Sequence, residues 1–216
     1  LTNDYTDSTI SSRILRNVKK GRKTGVQIRE SSSVDDLNLL LSFLESTKNR
    51  RVSRFGNDYS PFYINLLSET AIANMLENGM AKFYCADLNG QTQSIMLMLD
   101  SGDRTYNLLK GSVDEAYTSG ASSFIDFEVI RIYQQKGFKV LNLGVELLAG
   151  DGDGLNMYKE GIGGMRIKKL GAYTYYLYFP YSVLNVLFIA SHMVPDVKWV
   201  LWLKRKLSAL FSGAKN

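Results

Sequence analysis

"AKFYCADLNGQTQSIMLMLDSGDRTYNLLKGS", residues 81–112, decides the fold. Asn89–Gly90 is a two-residue hairpin signal, because Asn and Gly most readily take the positive φ that such a turn needs. Ser101–Gly102–Asp103 is a second turn signal. Apolar runs flank both turns. They predict three consecutive antiparallel strands at 81–88, 92–99 and 104–110.

Upstream, "SRILRNVKKGRK" (12–23) places Ile14 and Val18 among six basic residues and predicts a short amphipathic helix ending near Gly21 or Gly25. "GVQIRES" (25–31) alternates as a strand. "SSVDDLNLLLSFLESTKNRR" (32–51) reads as a helix, with Ser33 or Asp35 as N-cap and Leu37, Leu40, Leu41 and Leu44 on one face. "SPFYINLLSETAIANMLENG" (60–79) reads as another, with Pro61 in its first turn and Gly79 as its stop.

Downstream, "SGASSFIDFEVIRIYQQKG" (119–137) predicts a helix over 121–136, with Phe124, Phe127, Ile130 and Ile132 on its apolar side. "FKVLNLGVE" (138–146) is a strand. A glycine-rich run with a short helix follows, then Tyr-rich strands in "MRIKKLGAYTYYLYFP" (165–180) and a mostly helical tail. "DGDG" (151–154) lacks the further ligands of a calcium loop and reads as a turn. Mixed order without a repeat or linker points to a single α+β domain over 12–180. Residues 1–11 are expected as a flexible lead-in and 181–216 as a C-terminal helical extension. The chain opens on Leu1 rather than Met, which leaves room for residues upstream.

Composition narrows the chemistry. Hydrophobic residues make up 45% and charged residues 22%, ordinary for a globular chain that buries a core. The lone cysteine, Cys85, allows no intrachain disulfide and no cysteine metal cluster, and its apolar neighbours predict a buried thiol. The one histidine, His192, has neither a nucleophile elbow nor a nearby cysteine, which sets aside Ser-His-Asp and Cys-His catalysis. No metal site is expected. A net charge of +5 and a pI near 9.1 favour anionic ligands or surfaces. No signal peptide is visible, and the uncharged stretch from Pro180 to Val194 is shorter than the roughly 20 residues of a membrane span. A cytoplasmic location is expected, peripheral to the inner face of the membrane if the tail binds lipid.

"TYNLLKGS" (105–112), the helix and strand of 119–146, and "GLNMYKEGIGG" (154–164) together resemble the Fem-type branch of the GNAT acyltransferase superfamily. "SSRILRNVKKGRKTGVQIRE" (11–30) is similar to the entry segment of such domains. The resemblance runs from about Ser12 to Tyr178. It implies a GNAT-like, largely antiparallel mixed sheet flanked by helices. The activity it implies is N-acyl transfer from acetyl-CoA or another acyl-CoA to an amine on a small metabolite, amino sugar or cell-envelope precursor. Two positions depart from the family: Asn142 stands where an acid is usual, and "TSGAS" (118–122) replaces the usual pyrophosphate signature. Aminoacyl transfer from charged tRNA is the alternative activity, and a noncatalytic binding or membrane-scaffold domain is the third reading.

The same resemblance assigns the site. Lys159 would neutralise charge on the donor or on the developing oxyanion, and Tyr158 would stack or donate a hydrogen bond. The strand ending in Lys110, Gly111 and Ser112 would hold the donor. Gly120, Ser122 and Ser123, at the amino end of the helix, would face its phosphates, since free N–H groups and the helix dipole favour anions there. Ser119 or Ser122 as a plain N-cap is the competing reading. Glu146 follows the strand and is placed to act as general base toward an acceptor amine. Asp126 and Glu128 are the candidate carboxylates on that helix; two positions apart, they point to different faces and cannot act as a pair. The glycines around Tyr158–Lys159 would let backbone approach a ligand closely.

Two basic segments remain. The helix at 12–23 reads three ways: as a grip on donor phosphates or tRNA, as a contact with anionic membrane, or as a solvated face. It carries no aromatic residue, which argues against a single-strand nucleic-acid platform. In the tail, Val197, Val200, Leu203, Leu207 and Leu210 recur at helical steps beside Lys198, Lys204, Arg205, Lys206, Trp199 and Trp202. That composition suits a peripheral membrane helix or a stripe docked on the sheet.

Overall fold

In the computed structural model, residues 1, 5–55, 68–144 and 152–165 are described. All lie in the first of two units into which the chain divides, Leu1–Arg166 and Ile167–Asn216. The meander is present as β2 (Ala81–Leu88), β3 (Gln91–Ser101) and β4 (Arg104–Ser112). Asn89 and Gly90 take φ of 52° and 75° at its first turn, the backbone that a tight hairpin demands. β1 (Gln27–Ser31) adds antiparallel to β2, and β5 (Val140–Asn142) adds parallel to β4. The sheet order is β1-β2-β3-β4-β5.

Helices cover both faces, so β2 and β3 are buried on both sides and their sequences run apolar without alternation. On one face Phe83, Cys85, Ile95, Leu97 and Leu109 pack with Leu37, Leu40, Phe43 and Leu44 of α2 (Val34–Phe55) and with Ile72 and Leu76 of α3 (Glu69–Glu77). On the other, Tyr84, Ala86, Met96 and Met98 meet residues of α1 (Ser12–Thr24) and α5 (Ala121–Gln135). Each large side chain that is fully buried contributes about 1.5–3 kcal/mol.

The structure decides between the alternatives at Gly21 or Gly25 and at Ser33 or Asp35, and corrects several other expectations. Helix α1 passes through Gly21 and stops at Gly25, whose φ is 82°. Gly21 is instead a contact: a Cβ there would lie 2.7 Å from Cβ of Phe124. In α2, Phe43 completes the buried face and Leu41 is only half-buried; in α5, Ile132 is half-buried and Ile125, Val129 and Tyr133 join the core. Ser33 caps α2, its hydroxyl accepting from the Asp35 N–H at 3.1 Å. A short helix, α4 (Asp114–Ser119), precedes α5, and Gly120 breaks the two apart. Gly152, Asp153 and Gly154 open helix α6 (Gly152–Gly161) rather than forming a turn.

The amino-terminal residues 5–11 are anchored at two points. Tyr5 and Ile10 are buried in the core, and Thr6 caps a 3-10 turn at Asp7–Thr9. No helix among the described residues is long and apolar enough to cross a membrane. Pro61, Glu146, His192, the Tyr-rich segment and the tail lie outside the described residues.

Candidate active site at the β4–β5 splay

The parallel pairing of β4 with β5 spans only Arg104–Tyr106 against Val140–Asn142. Beyond Tyr106, β4 keeps β3 as its partner and has no strand on its other edge among the described residues. β4 is also bulged there. Leu97 faces Leu109 while Met98 faces Asn107, so Leu108 is the extra residue. A bulge bends its strand, tightens the twist and leaves backbone groups outside the ladder. Within this stretch the Asn107 side-chain oxygen is buried without a hydrogen-bond partner. The result is an open strand edge with polar groups to offer to an extended ligand.

On the α5 side of that edge, three elements converge on one carboxylate. Lys110 of β4 donates from Nζ to Oδ2 of Asp126 at 2.5 Å and to the Ser122 carbonyl at 2.8 Å. Tyr158 of α6 donates its hydroxyl to the same Oδ2 at 2.5 Å. Ser122, Ser123 and Asp126 share the inward face of α5 because they stand three and four residues apart. The Asp126 side chain is 7% exposed and that of Lys110 is 22% exposed, so this ion pair is largely removed from solvent. Burial first, then the Asp126 charge, pushes the Tyr158 phenol far above its ordinary range, and it remains protonated. Glu128 points elsewhere, to Arg131 at 3.5 Å and Arg22 at 3.9 Å.

Lys159, one step round α6, goes to a different place. A Cβ at Gly144, just past β5, would lie 3.5 Å from its Nζ. Tyr158 and Lys159 thus reach the two sides of the splay, the first toward β4 through Asp126 and the second toward the end of β5. The glycines beside them have packing roles. A Cβ at Gly161 would lie 2.9 Å from Ile14 of α1 and from Ser11, its N-cap, and one at Gly164 would lie 2.5 Å from the Lys159 carbonyl.

The remaining candidates divide. Gly111 lies against α2, where a Cβ would be 2.7 Å from Phe43, and Ser112 shares a 2.7 Å hydrogen bond with Ser94. Gly120 itself is the N-cap of α5, at φ 86°, and a Cβ there would come within 2.3 Å of the Asn17 carbonyl. Ser119 accepts from the Ala121 N–H at 3.3 Å, and Ser122 and Ser123 are buried. That helix end is therefore packed on α1, and two acids, Asp114 and Glu115, open the helix before it. Asp126 was one of two candidate carboxylates in the sequence, but its role as the shared anchor of Lys110 and Tyr158 was not foreseen. Its inward spacing with Ser122 was readable, but its meeting with residues 16 and 32 positions away was not.

The model of the acetyltransferase (GNAT) domain family matches residues 9–160. Among solved structures, FemX aligns with a TM-score of 0.56 at 13% identity, covering 76% of this chain and 56% of its own. The chain thus spans little more than half the length of FemX. A possible acetyltransferase from Clostridium difficile 630 aligns with a TM-score of 0.50 at 14% identity, covering 71% of this chain and 98% of its own. At these identities the two likenesses are likenesses of fold. No curated protein sequence matches. The family match over most of the chain, on a mixed sheet splayed between β4 and β5, places this protein in the GNAT acetyltransferase domain family.

Proposed function

We propose that the protein transfers an acyl group from acyl-CoA, or a similar activated carrier, to the amine of a small metabolite, amino sugar or envelope precursor. The observation that carries this reading is the bulged edge of β4 past Tyr106, which no strand pairs among the described residues. An extended pantetheine-like arm bonds such an edge as an added strand would.

The acceptor nitrogen attacks the thioester carbonyl, the C–N bond forms, the C–S bond breaks, and the proton lost by the amine leaves with the thiol. Positioning the two reactants supplies roughly 7–11 kcal/mol of rate acceleration in favourable cases. Backbone N–H groups freed at the Leu108 bulge and the Lys159 ammonium serve the developing oxyanion, each such donor contributing about 2.7–4 kcal/mol. Tyr158, held protonated against Asp126, forms the polar wall beside the reacting carbonyl. Glu146 is the proposed base.

Calorimetric titration with acetyl-CoA and CoA, followed by thiol release with a panel of amines, tests the proposal. Micromolar binding and turnover that falls about 100-fold in Lys159→Ala at unchanged melting temperature are expected. A folded chain that neither binds CoA nor releases thiol overturns the CoA reading. Charged tRNA is then the donor to test.

A further inference from the structure

Helix α1 carries a band of positive charge that no acid neutralises among the described residues. Arg13, Arg16, Lys19, Lys20 and Lys23 are all exposed, and none takes part in an ion pair among the described residues. The sixth cation, Arg22, is the exception, pairing with Asp7 at 3.4 Å and Glu128 at 3.9 Å. At about 100° per residue the five fall within an arc of about 120°. Ile14, Val18 and Gly21 bury the opposite side. Five like charges three and four residues apart repel one another along the helix, and an external polyanion relieves that repulsion.

We infer that this stripe docks the protein on an anionic lipid surface. The inference is independent of the acyl-transfer reading. Charge complementarity calls for a polyanion, and two features select lipid over nucleic acid. Helix α1 has no aromatic side chain on which a base could stack. The chain's other acid-free basic run, residues 202–207, has Trp199, Trp202, Leu203 and Leu207 in or beside it. Cations beside tryptophan and leucine are the composition of a segment that sits at a bilayer interface. Durable attachment takes two signals, one of which is often a basic patch. The stripe supplies the electrostatic signal, and the sequence of the tail has the composition of an apolar one. Each stripe cation multiplies partitioning to an anionic leaflet by about five at low salt.

Flotation of the full chain with phosphatidylcholine vesicles, with and without one-third phosphatidylglycerol, tests this at low and high salt. The wild type is expected to float only with the anionic vesicles and to be released by salt. Changing Arg13, Arg16, Lys19, Lys20 and Lys23 to Gln is expected to lower partitioning by about tenfold or more at an unchanged melting temperature. Should that variant fold poorly, the Lys19→Gln, Lys20→Gln pair gives the same comparison with a smaller loss. Trp199→Ser with Trp202→Ser separates the tail's share. Flotation that is absent, or that survives neutralisation of the stripe, overturns the inference. So does tighter binding of a duplex RNA oligonucleotide through the stripe, which makes it a nucleic-acid surface.

Discussion

Tyr158 donates its hydroxyl to Oδ2 of Asp126 at 2.5 Å, joining α6 to α5 across 32 positions of sequence, and Lys110 joins β4 to the same oxygen. The carboxylate is the common anchor of both sides of the site. Tyr158→Phe removes one of these two hydrogen bonds and is expected to cost about 1.5–3 kcal/mol, the range for hydrogen bonds to charged groups. Lys110→Met strands a buried charge and is expected to cost about 3 kcal/mol, the low end for a broken buried pair because Lys110 keeps some solvent. Adding Asp126→Leu to Lys110→Met should recover part of that loss. Urea denaturation of the single and double variants measures it, and strict additivity would show that the pair is not coupled.

Gly25 and Gly120 separate backbone strain from crowding. Both have positive φ, 82° and 86°, but a Cβ at Gly25 meets nothing within 4 Å. Gly25→Ala is expected to cost about 1–2 kcal/mol, the penalty of a left-handed L-residue. Gly120→Ala adds the collision with the Asn17 carbonyl and should cost about 3 kcal/mol or more. Equal losses in the two variants would mean that α1 and α5 yield to each other easily.

Acid should weaken the clamp at Arg29. Its guanidinium donates to both oxygens of Asp36, at 2.9 and 3.1 Å, and to Asp87 at 2.9 Å, tying β1 to α2 and β2. The Arg29 hydrogen bond holds the Asp36 carboxyl below its ordinary value, against the opposing effect of burial. A depressed carboxylate contributes stability that is complete above the unfolded-state pKa, about 3.9, and is lost as pH falls through the folded one. Melting temperatures from pH 7 to pH 2 should fall below about pH 4. Asp36→Asn should start lower at neutral pH and fall less steeply; parallel curves would assign the acid sensitivity to other groups.

Cys85 should be chemically silent. It is fully buried between β1 and β3, and burial is the main cause that pushes its thiol up to about 12. Since the thiolate is the reactive form, alkylation by iodoacetamide at pH 8 should be negligible in the folded protein and complete in urea. Mass spectrometry after timed exposure reads this directly. Prompt labelling of the native chain would place the β1 edge in an open state.

The meander was legible because its turns are written in local chemistry, Asn89–Gly90 and Gly102, with unbroken apolar runs between them. Helix α4 was not, because six residues with one buried side chain, Ala116, show no periodicity to read. The splay was out of reach for a different reason. Three residues of parallel pairing between segments more than 30 positions apart depend on how helices fill the sheet's faces, not on either strand alone. Lys110 and Tyr158 were both named from a family resemblance. The carboxylate that makes them neighbours needed the packed helix α5. The glycines near Lys159 were readable as special but not as to what they approach, which proved to be the protein's own α1 and carbonyls.

Leu108 is a spare count in the arithmetic of the sheet. Met98 faces Asn107 and Leu97 faces Leu109, so deleting Leu108 alone would bring β4 back into step with β3 while leaving every other side chain on its present face. Chain length at this point is therefore separable from side-chain identity. The shape of the open edge can be altered by one peptide unit, at the cost of one half-buried leucine, with the residues that line it unchanged.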